Sequence, residues 1–223
     1  MNLNRSILIN QITSKNYLVI RRNSVTDNEK NSDTSLSKSA RLVDHMIDAR
    51  KVFITGEVDH KMATEVVYQL HALAQINNKP IYVFISTPGG HVESGDMIYD
   101  AIKFITPKVI TIGSGWVASA GALIYVAADK ENRYSLPNTR FMLHQPSGGA
   151  QGPASNLEIY MNEILKMKER LNQIFASSTG QPIEKIREDM ERDFWLSAEE
   201  SINYGLVSKI ITSERDIIDT SSQ

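Results

Sequence analysis

The sequence predicts an α/β domain built on a largely parallel sheet. Three observations lead there. Short apolar runs alternate with amphipathic stretches from Ser39 to about Ser213, at strand and helix lengths. The run Ile81-Tyr82-Val83-Phe84-Ile85 is apolar at successive positions, as a strand covered on both faces requires. Glycine-rich turns, Pro88-Gly89-Gly90 and Gly113-Ser114-Gly115, follow two of the apolar runs, where a strand hands over to a helix.

The elements follow in order. Residues 1–22 hold two apolar runs, Ile7-Leu8-Ile9 and Tyr17-Leu18-Val19-Ile20, around the polar Thr13-Ser14-Lys15-Asn16, which is a hairpin pattern. Residues 23–39 are polar with almost nothing to bury and are expected as a linker. The domain proper is expected over 40–213. Lys51-Val52-Phe53-Ile54-Thr55 forms a strand closed by Gly56. Asp59 opens a helix with Met62, Val66, Leu70 and Leu73 on one face, ending at Asn77-Asn78. After the strand 81–86, a helix from Ser94 turns Met97, Ile98, Ala101, Ile102 and Ile105 inward. A strand at 109–112 is expected to stop at the second glycine turn, before a small-residue helix through Ala128. Residues 140–143 form a strand, 156–177 a long amphipathic helix, and 214–223 a polar tail.

Composition narrows the function. At 223 residues, with 41% hydrophobic and 22% charged, the chain is globular and suits one domain with appendages. The net charge is −2 and no basic stripe is present, so nucleic acid is not an expected partner. Without cysteine there is no disulfide, thiolate metal site or cysteine nucleophile. Residues 1–10 lack a secretory pattern, and the apolar stretch 117–128 is too short to span a bilayer. A soluble, cytoplasmic protein with no membrane association is expected.

Four places carry candidate chemistry. Ser119 lies where the strand's glycine turn meets a helix start, among N–H groups without partners, which suits a nucleophile that generates an oxyanion; a plain N-cap is the alternative. The turn Ser86-Thr87-Pro88-Gly89-Gly90 exposes main-chain N–H groups to close approach, or is simply a turn. His144 ends an apolar strand ahead of Pro146, at the strand edge where α/β sheets bind ligands. Asp193 abuts Phe194-Trp195-Leu196, which is expected to bring its carboxylate to the core boundary, where it needs a partner such as an imidazole N–H. No histidine spacing suits a metal, and none is expected. Ser, His and Asp together, with two main-chain donor sites, make the set used for acyl transfer.

These pieces lie among further strings: Phe53-Ile54-Thr55-Gly56, Ile98-Tyr99-Asp100, Gly115 through Ala118-Ser119 to Gly121-Ala122, Leu136-Pro137-Asn138, His144-Gln145-Pro146, Gly148-Gly149, Glu191-Arg192-Asp193, Leu196-Ser197-Ala198 and Tyr204-Gly205-Leu206-Val207. In order and spacing, with 25 residues from Ser119 to His144 and 49 from there to Asp193, the chain resembles the Clp protease proteolytic subunit, the ClpP family of self-compartmentalised serine peptidases. The resemblance covers roughly residues 50–212.

It implies Ser119 as nucleophile, His144 as general base, Asp193 as its orienting carboxylate, and the N–H groups of Gly90 and Ala120 as oxyanion hole. It implies the ClpP/crotonase-like spiral of ββα units, with a protruding strand-helix handle at about 147–178. It also implies two stacked seven-membered rings, of one subunit or mixed with a paralogue. An AAA+ unfoldase would feed them unfolded polypeptide. Leu70, Tyr82, Phe84, Phe104 and Ile112 match the family's docking pocket for that partner, or are plain core. There is no Walker motif, so ATP belongs to the partner and no cofactor to this chain. A subunit inactive without its paralogue, and an acyl-CoA-processing enzyme of the same spiral, are the alternatives. Trp116 is expected to narrow the cleft, and Pro153 to remove a donor from the handle strand.

Overall fold

The computed structural model describes residues 45–149 and 151–218. The expected hairpin and linker over 1–39 lie outside the described residues. The strands are β1 (Lys51–Thr55), β2 (Ile81–Thr87), β3 (Val109–Ala118), β4 (Arg133–Ser135), β5 (Arg140–Leu143), β6 (Phe194–Ser197) and β7 (Lys209–Ile210). The helices are α1 (His60–Ile76), α2 (Val92–Phe104), α3 (Ala120–Tyr125), α4 (Ala154–Thr179), α5 (Ile183–Asp189), α6 (Ala198–Tyr204) and α7 (Arg215–Ile218).

The strands run β1-β2-β3-β4-β7, all pairs parallel. One strand changes partner along its length. The first half of β3 pairs with β4 through Thr111–Gly113, and its second half pairs with β5 through Trp116–Ala118. Antiparallel β6 then closes on β5. The glycine turn expected to end this strand is therefore the bend inside it: Gly113-Ser114-Gly115 carries the backbone from one partner to the next without leaving the sheet. A Cβ at Gly113 would meet Phe141 Cζ at 3.0 Å, so the bend is close-packed.

Helices α1, α2 and α3 cover one face. Leu70, Leu73, Ile98, Leu123 and Ile124 pack there with Val52, Ile54, Val83 and Ile85 in a single cluster. The other face holds a smaller one, Ile110, Ile112, Tyr134, Ile211 and Ile217, edged by the half-buried Tyr82 and Phe84. This divides the five residues expected to dock a partner. Leu70 and Ile112 are fully buried in different clusters and present no surface. Phe104 is exposed near His71, while Phe84 stacks on the exposed Phe53 at 5.1 Å.

Other expected boundaries move as well: the small-residue helix expected through Ala128 ends at Tyr125. Residues 147–149 and 151–153, expected within a strand, are irregular, because no strand of this chain pairs with them among the described residues. Pro153 is instead the N-cap of α4, accepting the N–H groups of Asn156 and Leu157 at its carbonyl, where its missing donor does no harm. The tail expected from 214 begins with α7, whose Ile217 is buried in the second cluster. The last turns of α4 bury Leu171, Asn172, Phe175 and Thr179, whereas its earlier turns expose Ile159, Tyr160, Met161 and Leu165.

Arg50 pins the start of the sheet to the end of α1. Its backbone is left-handed (φ 55°), and its buried guanidinium donates to the carbonyls of Leu73, Asn77, Lys79 and Pro80 at 2.7–3.2 Å. Leu73, in the last turn of α1, and Asn77, its C-cap, offer carbonyls that a helix end leaves open. Arg50→Ala is expected to lower the unfolding free energy by about 3 kcal/mol, read by chemical denaturation of the purified protein.

Candidate active site

Ser119 sits between β3 and α3 with φ 55° and ψ −121°, a conformation that an L-residue holds only when its surroundings impose it. The surroundings are visible. Its N–H donates to Met142 O at 2.9 Å, extending the β3–β5 ladder, and its carbonyl accepts from Ala122 and Leu123. Although it occupies the N-cap position, its side chain makes no capping bond. The hydroxyl is turned to His144 instead, with Oγ 2.8 Å from Nε2.

His144 follows directly on β5. The β5–β6 register pairs Leu143 with Phe194, and one further step of the same antiparallel register sets His144 opposite Asp193. Nδ1 lies 3.1 Å from Asp193 Oδ1, so hydroxyl, imidazole and carboxylate form one continuous chain. The Asp193 carboxylate is 65% exposed, against 23% for the imidazole. It does not reach the core boundary as its apolar neighbours suggest, because those neighbours turn elsewhere. Phe194 packs on Tyr204, and Trp195 lies under the Arg140 guanidinium at 4.3 Å.

Gln145, which the sequence marks only as part of the string His144-Gln145-Pro146 and with no role of its own, ties the two segments together. Its N–H donates to Met190 O at 2.7 Å and its Nε2 to Glu191 O at 2.9 Å. Glu191 in turn meets Lys168 of α4 at 2.7 Å, and that hydrogen bond holds its carboxyl below the usual range. Only the polarity of a residue beside His144 pointed to this role.

The turn after β2 runs alongside. Val58 accepts from His91 N–H and donates to Gly89 O, both at 2.8 Å, which leaves Gly90 N–H without an acceptor among the described residues. The glycines are required by space. A Cβ at Gly89 would fall 2.5 Å from Ser119 Cβ, and one at Gly90 2.3 Å from Val58 O, with φ +99° and +148°. Gly89 therefore lies directly against Ser119, and Ala120 opens α3 immediately after it.

Beside the hydroxyl is a recess lined by Val92, Leu123, Leu143, Pro146, Leu171 and Phe175 together with Ser119, Ala120 and His144. Trp116 is not among its lining residues, so the indole does not narrow this part of the cleft. Among the described residues no group of acidic and imidazole side chains could hold a metal ion, and no helix is long and apolar enough to cross a membrane.

The family model for Clp protease matches residues 34–214. The chain belongs to the Clp protease family. It is a serine-type peptidase, a hydrolase of peptide bonds. It is 71% identical over 178 residues to the ATP-dependent Clp protease proteolytic subunit 2 of Pseudomonas aeruginosa, covering 80% of this chain and 89% of the relative. It is 54% identical over 195 residues to subunit 3 of Rhizobium etli, covering 87% of this chain and all of the relative. Among solved structures, a point mutant of Listeria monocytogenes ClpP1 superposes with a TM-score of 0.73 at 50% identity, over 78% of this chain and 98% of that one. Listeria ClpP1 itself gives 0.72 at 49%, over 79% of this chain and 99% of that one. The fold is thus that of the Clp proteolytic subunits, the spiral expected from the sequence.

Proposed function

We propose that this chain hydrolyses unfolded polypeptides with Ser119 as nucleophile, His144 as proton carrier and Asp193 as the group that orients it. One observation carries the assignment: the unbroken contacts of 2.8 Å from Ser119 Oγ to His144 Nε2 and 3.1 Å from Nδ1 to Asp193. Asp193 accepts the Nδ1–H, so the lone pair of Nε2 faces the hydroxyl and can take its proton as Oγ attacks the carbonyl carbon. The carbonyl oxygen gains negative charge and is met by the N–H groups of Gly90 and Ala120. The imidazolium returns its proton to the leaving amine, an acyl-enzyme remains on Ser119, and water resolves it by the same steps in reverse roles. The apolar recess beside Ser119 suits an apolar side chain next to the scissile bond.

The wider setting is part of the same reading. The exposed Ile159, Tyr160, Met161 and Leu165 lie around the early turns of α4, which neighbouring subunits would cover in two stacked seven-membered rings, homomeric or mixed with a paralogue. An AAA+ unfoldase would spend the ATP and thread the substrate, in the cytoplasm; this chain contributes no nucleotide site or cofactor.

A fluorophosphonate probe tests the assignment together with native mass measurement. Stoichiometric labelling at Ser119, located by peptide mass spectrometry in a particle of two rings, is expected. An intact assembly that stays unlabelled while cleaving peptide would refute it. Labelling only after a paralogue is added would favour the mixed assembly.

A further inference from the structure

We propose that Thr87 is a positioning residue that sets the gap between the two main-chain donors facing the Ser119 oxyanion, an inference that rests on Gly90 and Ala120 filling that role. Thr87 ends β2 and is fully buried. Its hydroxyl is committed in both directions: Oγ1 donates to Gly56 O and accepts the Gly89 N–H at 3.0 Å. That clamps the first half of the turn, one residue before Gly90, to the end of β1.

The methyl group of the same side chain works on the other donor. A Cβ built on Gly121 would lie 2.3 Å from Thr87 Cγ2, while the next nearest atoms, Thr87 Cβ and O, stand at an ordinary 3.6 Å. The methyl is thus the one close obstacle above Gly121, one residue after Ala120. One side chain therefore grips the residue preceding the first donor by a hydrogen bond and abuts the residue following the second by van der Waals contact. Between them Gly89 rests against Ser119, so a shift of either element would alter both the donor spacing and the seat of the nucleophile. Oxyanion stabilisation depends on donors held in place before charge develops, so their spacing should appear in kcat more than in KM.

The two halves of the side chain can be tested separately. Thr87→Val keeps the shape and removes the hydroxyl; Thr87→Ser keeps the hydroxyl and removes the methyl. Each variant is assayed as the assembled full chain on a short fluorogenic peptide, with kcat expressed per fluorophosphonate-titrated site. Thr87→Val is expected to lose about tenfold to hundredfold in kcat with little change in KM, and Thr87→Ser to recover most of that loss. Gly121→Ala is expected to lose kcat to a similar degree, and combining it with Thr87→Ser to restore it, because the added methyl then occupies the space of the one removed. Wild-type kcat per site in Thr87→Val, or a Gly121→Ala defect that Thr87→Ser does not relieve, would overturn the proposal. If Thr87→Val fails to assemble, the Gly121 pair decides alone. An intact assembly of the unmodified chain that cleaves peptide without being labelled would instead overturn the reading of Ser119, which separates the two failures.

Discussion

Ser119→Ala removes peptide cleavage, with an expected loss of about 10⁵–10⁶-fold in kcat, and leaves the particle assembled. The size of the effect follows from the hydroxyl's single use. Its Oγ touches the imidazole and makes no helix-capping bond, while the main chain of Ser119 is held independently by Met142, Ala122 and Leu123. Truncating the side chain therefore deletes the nucleophile and leaves intact the hydrogen bonds that define the β3–α3 junction. Turnover of a fluorogenic peptide measures the first consequence and native mass with a melting curve the second. Wild-type turnover in this variant would exclude acyl-enzyme chemistry at this position.

Asp193→Asn comes next, with an expected loss of about 10³–10⁴-fold in kcat and little change in KM. Asparagine preserves size, but its amide can donate to Nδ1 as well as accept from it. In the donating arrangement the imidazole proton moves to Nε2, and the nitrogen facing Ser119 can no longer accept the hydroxyl proton. Because the carboxylate is largely open to solvent, its charge is screened, and the effect runs mainly through tautomer and ring orientation. Single-turnover labelling by fluorophosphonate should slow in parallel with peptide hydrolysis. A variant that labels and cleaves at the wild-type rate would show that Asp193 does not orient His144.

Much of this was legible because it is local. The strand at 140–143 and the core faces of α1 and α2 follow from side-chain periodicity, which sets the burial of each element whatever its partners. The expectations that moved all depended on partners. The Gly113-Ser114-Gly115 segment has the composition of a turn, yet it stays in the sheet because β4 pairs before it and β5 after it. The segment before α4 is expected as a strand only from the family resemblance; it is rich in glycine and proline, finds no strand to pair with among the described residues and remains irregular. Asp193 borders bulky side chains in sequence, yet β6 directs Phe194 to Tyr204 and Trp195 to Arg140, leaving the carboxylate open. Thr87 and Gln145 were missed for the same reason: both act through main-chain groups distant in sequence, Gly56 in one case and Met190 and Glu191 in the other.

What the sequence by itself determined was the chemistry available, a hydroxyl, an imidazole and a carboxylate set beside glycine-rich turns, since reactivity resides in side-chain type and turn formation in local backbone freedom. Only the tertiary structure decided that these groups meet. Parallel pairing of β3 with β5 brings Ser119 beside the end of β5, and antiparallel pairing of β5 with β6 sets His144 opposite Asp193. Local alternation fixes which side chains of each strand face the core, but which strands pair, and so which residues stand opposite, is chosen by the packing of the whole sheet.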